Sequence, residues 1–375
     1  MKELQEILRG YEAIKLAEEE ALLATVVSVK GSTYRRPGAR MLIRRDGSTI
    51  GAISSGCLEA DVVERAAKVL DTHEPITVVY DLTASESDVW GLNLGCNGVI
   101  KILLEPLPLS TRSFHLKSIA ECLKAGKSGV LATVFRVDGE FRASVGTHLF
   151  LLETGTVTED VMNPTLTAAL TEDSMEALRS KRTTVKAYRF MEGTVEALLE
   201  YLRPPVPLVI IGAGTDSVPL ARFAKELGWN VTVVDHRSAF ITKDRFPSAD
   251  ELLLLRPEEI ADKLSLRADM CVLIMTHNFS HDLQLLRTIL PSPVPYVGIL
   301  GPSKRTALLL EKVRESGFEP TGRQLERLHG PVGLNIGAES PEEIALSVLS
   351  EIQAFLNGRG GGFLRNHGGP IHSGS

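Results

Sequence analysis

Cysteine is scarce in this 375-residue chain: Cys57, Cys96, Cys122 and Cys271 stand far apart, and none forms a Cys-x-x-Cys pair. That spacing argues against a disulfide framework and against a thiolate zinc site, and it favours a reducing cytoplasm. No run of about 18 apolar residues occurs, so no membrane span is expected. Met1 to Gln5 leads into a charged amphipathic helix rather than an apolar signal core. There is no long basic run, and the net charge is −6. Nucleic-acid binding, which needs a clustered positive surface, is therefore not expected. What remains is the make-up of an ordinary globular protein, 43% apolar and 23% charged. The length suits two or three domains.

Apolar residues at helical spacing predict an opening helix over Leu4 to Leu23. Short strands follow at Ala24 to Val29, Arg40 to Ile43 and Thr49 to Ile53, the last two joined at the turn Asp46-Gly47. A helix at Leu58 to Leu70 and strands at Ile76 to Tyr80 and Val99 to Leu104 complete the first unit. The pattern then recurs 108 residues later. Ala24-Thr25-Val26 returns as Ala132-Thr133-Val134, Val29 as Val137, Gly38 as Gly146, Leu42 as Phe150, Gly47 as Gly155 and Tyr80 as Tyr188. Leu103-Leu104-Glu105 returns as Leu198-Leu199-Glu200 at an offset of 95. The repeat reads either as a duplication or as chance similarity between two small α+β segments.

The two stretches differ where chemistry would sit. Only the first carries Gly31 to Gly38, which offers flexible backbone N–H groups beside Arg35 and Arg36 and suits an anionic ligand. Only the first carries Ser54 to Glu59, in which Cys57 follows Gly56 at the start of a helix, where a thiolate gains from the helix N-terminus. Taken alone, Cys57 reads equally as a packed small residue. A longer loop, Ala84 to Gly98, holds Cys96 and is mostly missing from the second stretch. Cys122 and Cys271 lie among apolar residues and read as core.

The extended segment Arg203 to Pro207 makes a linker. Beyond it, strand, glycine turn, helix and strand run from Leu208 through Gly212-Ala213-Gly214-Thr215-Asp216-Ser217 to Asp235, the opening unit of a dinucleotide-binding fold. Ser217 replaces the third glycine of the fingerprint, a change that bears on helix packing more than on the phosphate turn. Further strands and helices alternate to Glu315, as in a doubly wound parallel sheet. Loops at the carboxyl ends of the strands bring Asp235-His236-Arg237 and Thr276-His277-Asn278 to one edge. Gly212, Gly214, Asp216, Asp235, Arg237 and His277 are the candidates there. The glycines also read as mere turn formers, and His277 as a structural hydrogen bonder. Ser340-Pro341-Glu342-Glu343 starts a helix, and the glycine-rich tail after Gly360 reads as mobile.

The expected fold is thus α/β, with a C-terminal Rossmann-like doubly wound parallel sheet preceded by an α+β region with a degenerate internal repeat. The expected boundaries are residues 1–107, 108–203, 204–357 and 358–375.

Taken together, Gly-Ser-Thr-Tyr-Arg-Arg-Pro-Gly, Ser-Gly-Cys-Leu-Glu and Pro-Val-Gly-Leu-Asn-Ile-Gly-Ala-Glu-Ser-Pro-Glu-Glu-Ile-Ala resemble the XdhC/CoxI family of accessory proteins for molybdenum hydroxylases. The resemblance spans both ends of the chain. It implies a chaperone that binds molybdenum cofactor (molybdopterin) and assists its sulfuration and insertion into a client such as xanthine dehydrogenase. A cysteine desulfurase is a further partner to consider, and a homodimer is the base-rate expectation. Cys57 and Cys96 are then candidates to hold the cofactor, with Arg35 and Arg36 near its phosphate. The chain departs from the family at Ser55-Gly56, where relatives pair glycines, at Cys96-Asn97-Gly98, where Cys-Gly-Gly is common, and at Thr215, where histidine is usual. Two other readings stand beside this one. They are an NAD(P)-dependent oxidoreductase working in the Rossmann-like crevice, and a structural assembly factor with a vestigial nucleotide fold.

Overall fold

A computed structural model of the chain describes residues 1–83, 97–107, 113–366 and 368. It divides into two compact units, with the break between Pro204 and Pro205. Among the described residues no helix is long and apolar enough to cross a membrane.

The N-terminal unit opens with α1 (Lys2–Leu16), β1 (Ala21–Ser32), β2 (Arg40–Arg44), β3 (Thr49–Gly51), α2 (Glu59–Thr72), β4 (Ile76–Asp81) and β5 (Asn97–Leu107). After α3 (Phe114–Lys124) come β6 (Gly129–Gly139), β7 (His148–Leu152), β8 (Val157–Glu159), α4 (Pro164–Ser180), β9 (Thr184–Phe190) and β10 (Gly193–Leu202). The first sheet has order β3-β2-β1-β5-β4 and the second β8-β7-β6-β10-β9, which is the same order carried over element by element. Each half has its own covering helix. On the first sheet Val62, Ala66 and Val69 of α2 pack on Ala24, Met41 and Ile102; on the second, Leu166, Leu170 and Ala177 of α4 pack on Ala132, Leu149 and Leu199. The buried face of α1 (Ile7, Tyr11, Ile14) and that of α3 (Leu116, Ile119, Cys122) join residues of both sheets, Leu23 and Leu131 among them, in one core.

The likeness extends to local detail. Gly38 and Gly146 both have positive φ and donate to the carbonyls of Val26 and Val134 at 2.8 Å. The register of β1 against β5 slips between Val26 and Ser28, leaving Val27 over; that of β6 against β10 slips between Val134 and Arg136, leaving Phe135 over. These bulged residues are 108 positions apart, and with Leu103 and Leu198 they form a small, fully buried cluster.

The opening helix stops at Leu16 rather than Leu23. Glu18 turns to φ +53°, and Ala21 to Leu23 pair with β2 on one side and β5 on the other. Sheet hydrogen bonds on both edges outweigh the helical pattern of those residues.

The C-terminal unit contains β11 (Pro207–Ile211), α5 (Ser217–Glu226), β12 (Asn230–Asp235), β13 (Glu251–Leu254), α6 (Ile260–Lys263), β14 (Cys271–Ile274), α7 (Phe279–Ile289), β15 (Tyr296–Ile299), α8 (Ser303–Glu315), α9 (Gly322–Leu325), β16 (Leu328–His329) and α10 (Pro341–Leu356). Between β13 and β14 the helical segment is a 3-10 turn, Pro257–Glu259, running into the single-turn α6. The all-parallel sheet has order β13-β12-β11-β14-β15-β16, the dinucleotide-binding order 3-2-1-4-5-6. Leu220 and Ala224 of α5 and Val348 and Ile352 of α10 cover one face; Leu285 and Ile289 of α7 and Leu309 and Val313 of α8 cover the other. Cys271 is buried within β14, as its apolar neighbours indicate. Ser340 caps α10, accepting from the Glu343 amide while the Glu343 carboxylate accepts from the Ser340 amide. The tail through Asn366 includes a 3-10 turn at Leu364–Asn366; most of the residues beyond, and Cys96, lie outside the described residues.

Candidate functional site

The loops that distinguish the first half are held by hydrogen bonds local to it. Arg35, expected beside an anionic ligand, donates to the Ala52 carbonyl at 2.8 Å and pairs with the Glu3 carboxylate on α1, which also accepts from the Ala52 amide at 3.1 Å. Arg35 therefore ties the Gly31–Gly38 loop to the loop that leads to Cys57. Arg36, by contrast, is exposed and has no ion-pair partner among the described residues. Gly38 has a φ of +97°, and a Cβ there would lie 2.7 Å from Oε1 of Glu200, whose side chain reaches over from β10 and would have to shift.

At the start of α2 the Ser54 amide donates to Oε1 of Glu59 at 2.8 Å, and the Leu58 amide reaches Oε2 at 3.2 Å. The Ser54 hydroxyl donates to Glu59 and receives the amides of Gly56 and Leu58, each at 3.2 Å. Burial pushes the Glu59 carboxyl up, but the Ser54 hydroxyl and amide outweigh it and hold it below the ordinary carboxylate value. Cys57 sits half-buried in this turn, its Sγ 3.5 Å from Ser54 Oγ. The amides of Ser54, Gly56 and Leu58, which lead into α2, are thus occupied by the chain's own Ser54 and Glu59. Glu3 escaped the sequence reading because nothing local to it marks its partner.

In the C-terminal unit the glycine turn after β11 meets the loop after β14 at the point where strand order reverses. Gly212 has φ +117°, and a Cβ there would stand 2.3 Å from the Met275 carbonyl, so only glycine fits. Ser217, in the place of the third glycine, is buried and donates its hydroxyl to the Gly212 carbonyl. A Cβ on Gly214 would lie 3.7 Å from the imidazole of His277, a left-handed residue at φ +57° whose Nε2 is 3.4 Å from the Asp216 carboxylate.

Asp235 ends β12 as expected, but its carboxylate faces the protein. Oδ2 accepts from the Ala213 amide at 2.7 Å and from Arg237 Nη2 at 2.8 Å; Oδ1 accepts the Arg237 amide and Nε, both at 2.9 Å. Four donors saturate a carboxylate. A ribose diol approaching in the usual dinucleotide manner would have to displace Arg237, whose guanidinium also stacks on Phe240 at 3.9 Å. The Asp235 carboxylate is therefore not free for the ribose contact by which that fold usually binds NAD.

The same donors set a pH dependence. Burial pushes the Asp235 carboxyl up, but Arg237 and the two amides prevail and hold it at about 2, against 3.8 for a free aspartate. A depressed folded-state pKa stabilises the fold above the unfolded value, here by about 2 kcal/mol, and this is lost as pH falls from about 4 to 2. Urea midpoints measured across that window are expected to drop steeply for the wild type. Asp235→Asn should unfold at lower urea at pH 7 and show a shallower acid limb; equal slopes in the two proteins would show that Asp235 does not carry this effect.

An antiparallel unit built twice over, followed by a Rossmann domain with a self-occupied ribose position, is the class of protein described here. The family model for the XdhC Rossmann domain matches residues 208–352, and that for the XdhC and CoxI family matches residues 15–81 and 122–189. A probable xanthine dehydrogenase subunit from Bacillus subtilis strain 168 is 33% identical over 89% of this chain and 93% of its own length. The molybdenum cofactor insertion chaperone PaoD of Escherichia coli K12 is 23% identical over 92% of this chain and 86% of its own. A solved structure from Bacillus halodurans, described as a xanthine dehydrogenase, superposes with a TM-score of 0.75 at 33% identity, covering 94% of this chain and 96% of that one. The chain belongs to the XdhC/CoxI family.

Proposed function

We propose that the protein is an accessory chaperone of the cytoplasm that binds molybdenum cofactor and assists its sulfuration and insertion into a molybdenum hydroxylase. The observation that carries the reading is the asymmetry between two halves of identical strand order, of which only the first has the Arg36 and Cys57 loops. Scaffold is repeated and chemistry is not. The names borne by two relatives, one for part of a xanthine dehydrogenase and one for a cofactor insertion chaperone, support the same reading.

The pterin phosphate finds its cation in the exposed Arg36, since Arg35 is already paired with Glu3. Cys57 supplies a soft thiol ligand for the molybdenum end, and Cys96 is proposed as its companion. A cysteine desulfurase that delivers the sulfur, a homodimeric state and a xanthine dehydrogenase-like client complete the reading. An NAD(P)-dependent oxidoreductase is the weaker alternative, because Asp235 is saturated by its own chain.

The deciding experiment is binding of isolated molybdenum cofactor to the reduced protein, followed by activation of a co-expressed hydroxylase. Wild-type protein is expected to bind. Cys57→Ala should weaken binding and lower client activity by about tenfold or more, which corresponds to about 1.4 kcal/mol. Absence of binding by the wild type would overturn the carrier reading.

A further inference from the structure

The equivalence of the two halves of the N-terminal unit provides an internal control for one buried cluster. Position 40 on β2 corresponds to 148 on β7, and Glu105 on β5 to Glu200 on β10. Each of the two basic side chains, Arg40 and His148, reaches across to the acid of the other half. Arg40 binds Glu200 with two guanidinium nitrogens, a buried pair that satisfies both carboxylate oxygens. At the equivalent place the guanidinium is gone, and the Glu105 carboxylate faces two imidazoles instead: His148 from β7 and His115 from α3.

This second site is not a tight ion pair. His115 Nε2 is 3.5 Å from Oε1 of Glu105, and His148 Nε2 is 3.6 Å from Oε2, at or beyond the limit of a useful hydrogen bond. All three side chains are 7% exposed or less, and His115 Nε2 is buried with no hydrogen-bond partner. An unpaired imidazole nitrogen and a loosely contacted carboxylate are costly to bury. The three ligand atoms lie within 4.8 Å of one another. For bonds of 2.0–2.2 Å to zinc, the edge of a tetrahedron is about 3.4 Å, close to the separation of each imidazole nitrogen from the carboxylate oxygen it faces, Oε1 for His115 and Oε2 for His148.

We propose that Glu105, His115 and His148 form a binding site for one divalent transition-metal ion of the zinc class, with water as the fourth ligand. The donor set, two imidazoles and a carboxylate, is the one such ions take. The rings now stack face to face with centroids 4.0 Å apart. Coordination turns each about its Cβ–Cγ bond, a soft torsion, until the two lone pairs converge. The ion ties β5 of the first half, β7 of the second and the connecting helix α3 to one point, so its role is to clamp the duplicated unit. It is independent of the cofactor the protein is proposed to carry.

The test uses the full untagged chain. Metal-free wild type is expected to take up one equivalent of Co²⁺ or Zn²⁺, with visible Co²⁺ bands and a rise in melting temperature. His115→Asn and Glu105→Gln should lose the bands while keeping the far-ultraviolet circular dichroism of the wild type. His367→Ala/His372→Ala, in the tail, should keep them. If the cluster variants do not fold, zinc-edge X-ray absorption of the wild type decides: two imidazoles with oxygen support the site, and sulfur ligation overturns it. No uptake by the wild type, uptake surviving in both cluster variants, or uptake lost only with the tail histidines also overturns it.

Discussion

Arg40→Met is expected to destabilise the N-terminal unit by about 3–5 kcal/mol, because it leaves the Glu200 carboxylate buried without its partner. Arg40 is 3% exposed and its Nη1 also donates to the Gly38 carbonyl at 2.9 Å, so the same change loosens the end of the glycine loop. Burial pulls the guanidinium's pKa down, but Glu200 more than offsets this and keeps Arg40 charged throughout the range in which the fold is stable. The pair differs from the exposed ion pairs of this surface, such as Lys312–Glu315, whose attraction is screened by solvent. The double variant Arg40→Met/Glu200→Leu should recover much of the loss, since removing both charges removes the unpaired one. Urea midpoints of the two single variants and the double one give the coupling. A double variant no more stable than Arg40→Met would refute the argument from uncompensated charge.

Phe135→Ala is expected to cost about as much, roughly 3–5 kcal/mol, for a different reason. Phe135 is the bulged residue of β6, fully buried against Val27, Leu103 and Leu198, with its carbonyl accepting from Thr77 on β4 and Lys101 Nζ 5.4 Å from its ring centroid. A ring removed from a site made by two bulges leaves a void that neither sheet can fill by sliding, since each register is set along its whole length. Phe135→Leu, which keeps most of the volume, should cost less than half as much. Midpoints measured for both variants decide: similar small losses would mean that the cluster collapses around the missing ring.

The repeat shows how far a sequence carries. Scattered identities at offsets of 108 and 95 mark the same positions that later prove to have the same turns, the same bulge and the same strand order. Turn glycines are legible because only they tolerate the conformation, and Gly38 and Gly146 both adopt it. In the same way the apolar strand, glycine turn and helix after Pro207 announced a parallel sheet, and Ser340-Pro341 announced a helix start. The two-residue β16 and the single-turn α9 left no pattern to read, being shorter than any period.

Partnership was another matter. The sequence by itself determined the Rossmann-like half, the outline of the repeat, the two loops present once and the family, because these rest on local conformation and on composition along the chain. Only the tertiary structure decided that Arg35 belongs to Glu3, that Asp235 is closed by Arg237, and that His115 and His148 face Glu105. Each of those side chains takes its use from residues brought beside it by folding. Electrostatic interaction depends on separation in space and on burial, and neither is written in the order of residues along the chain.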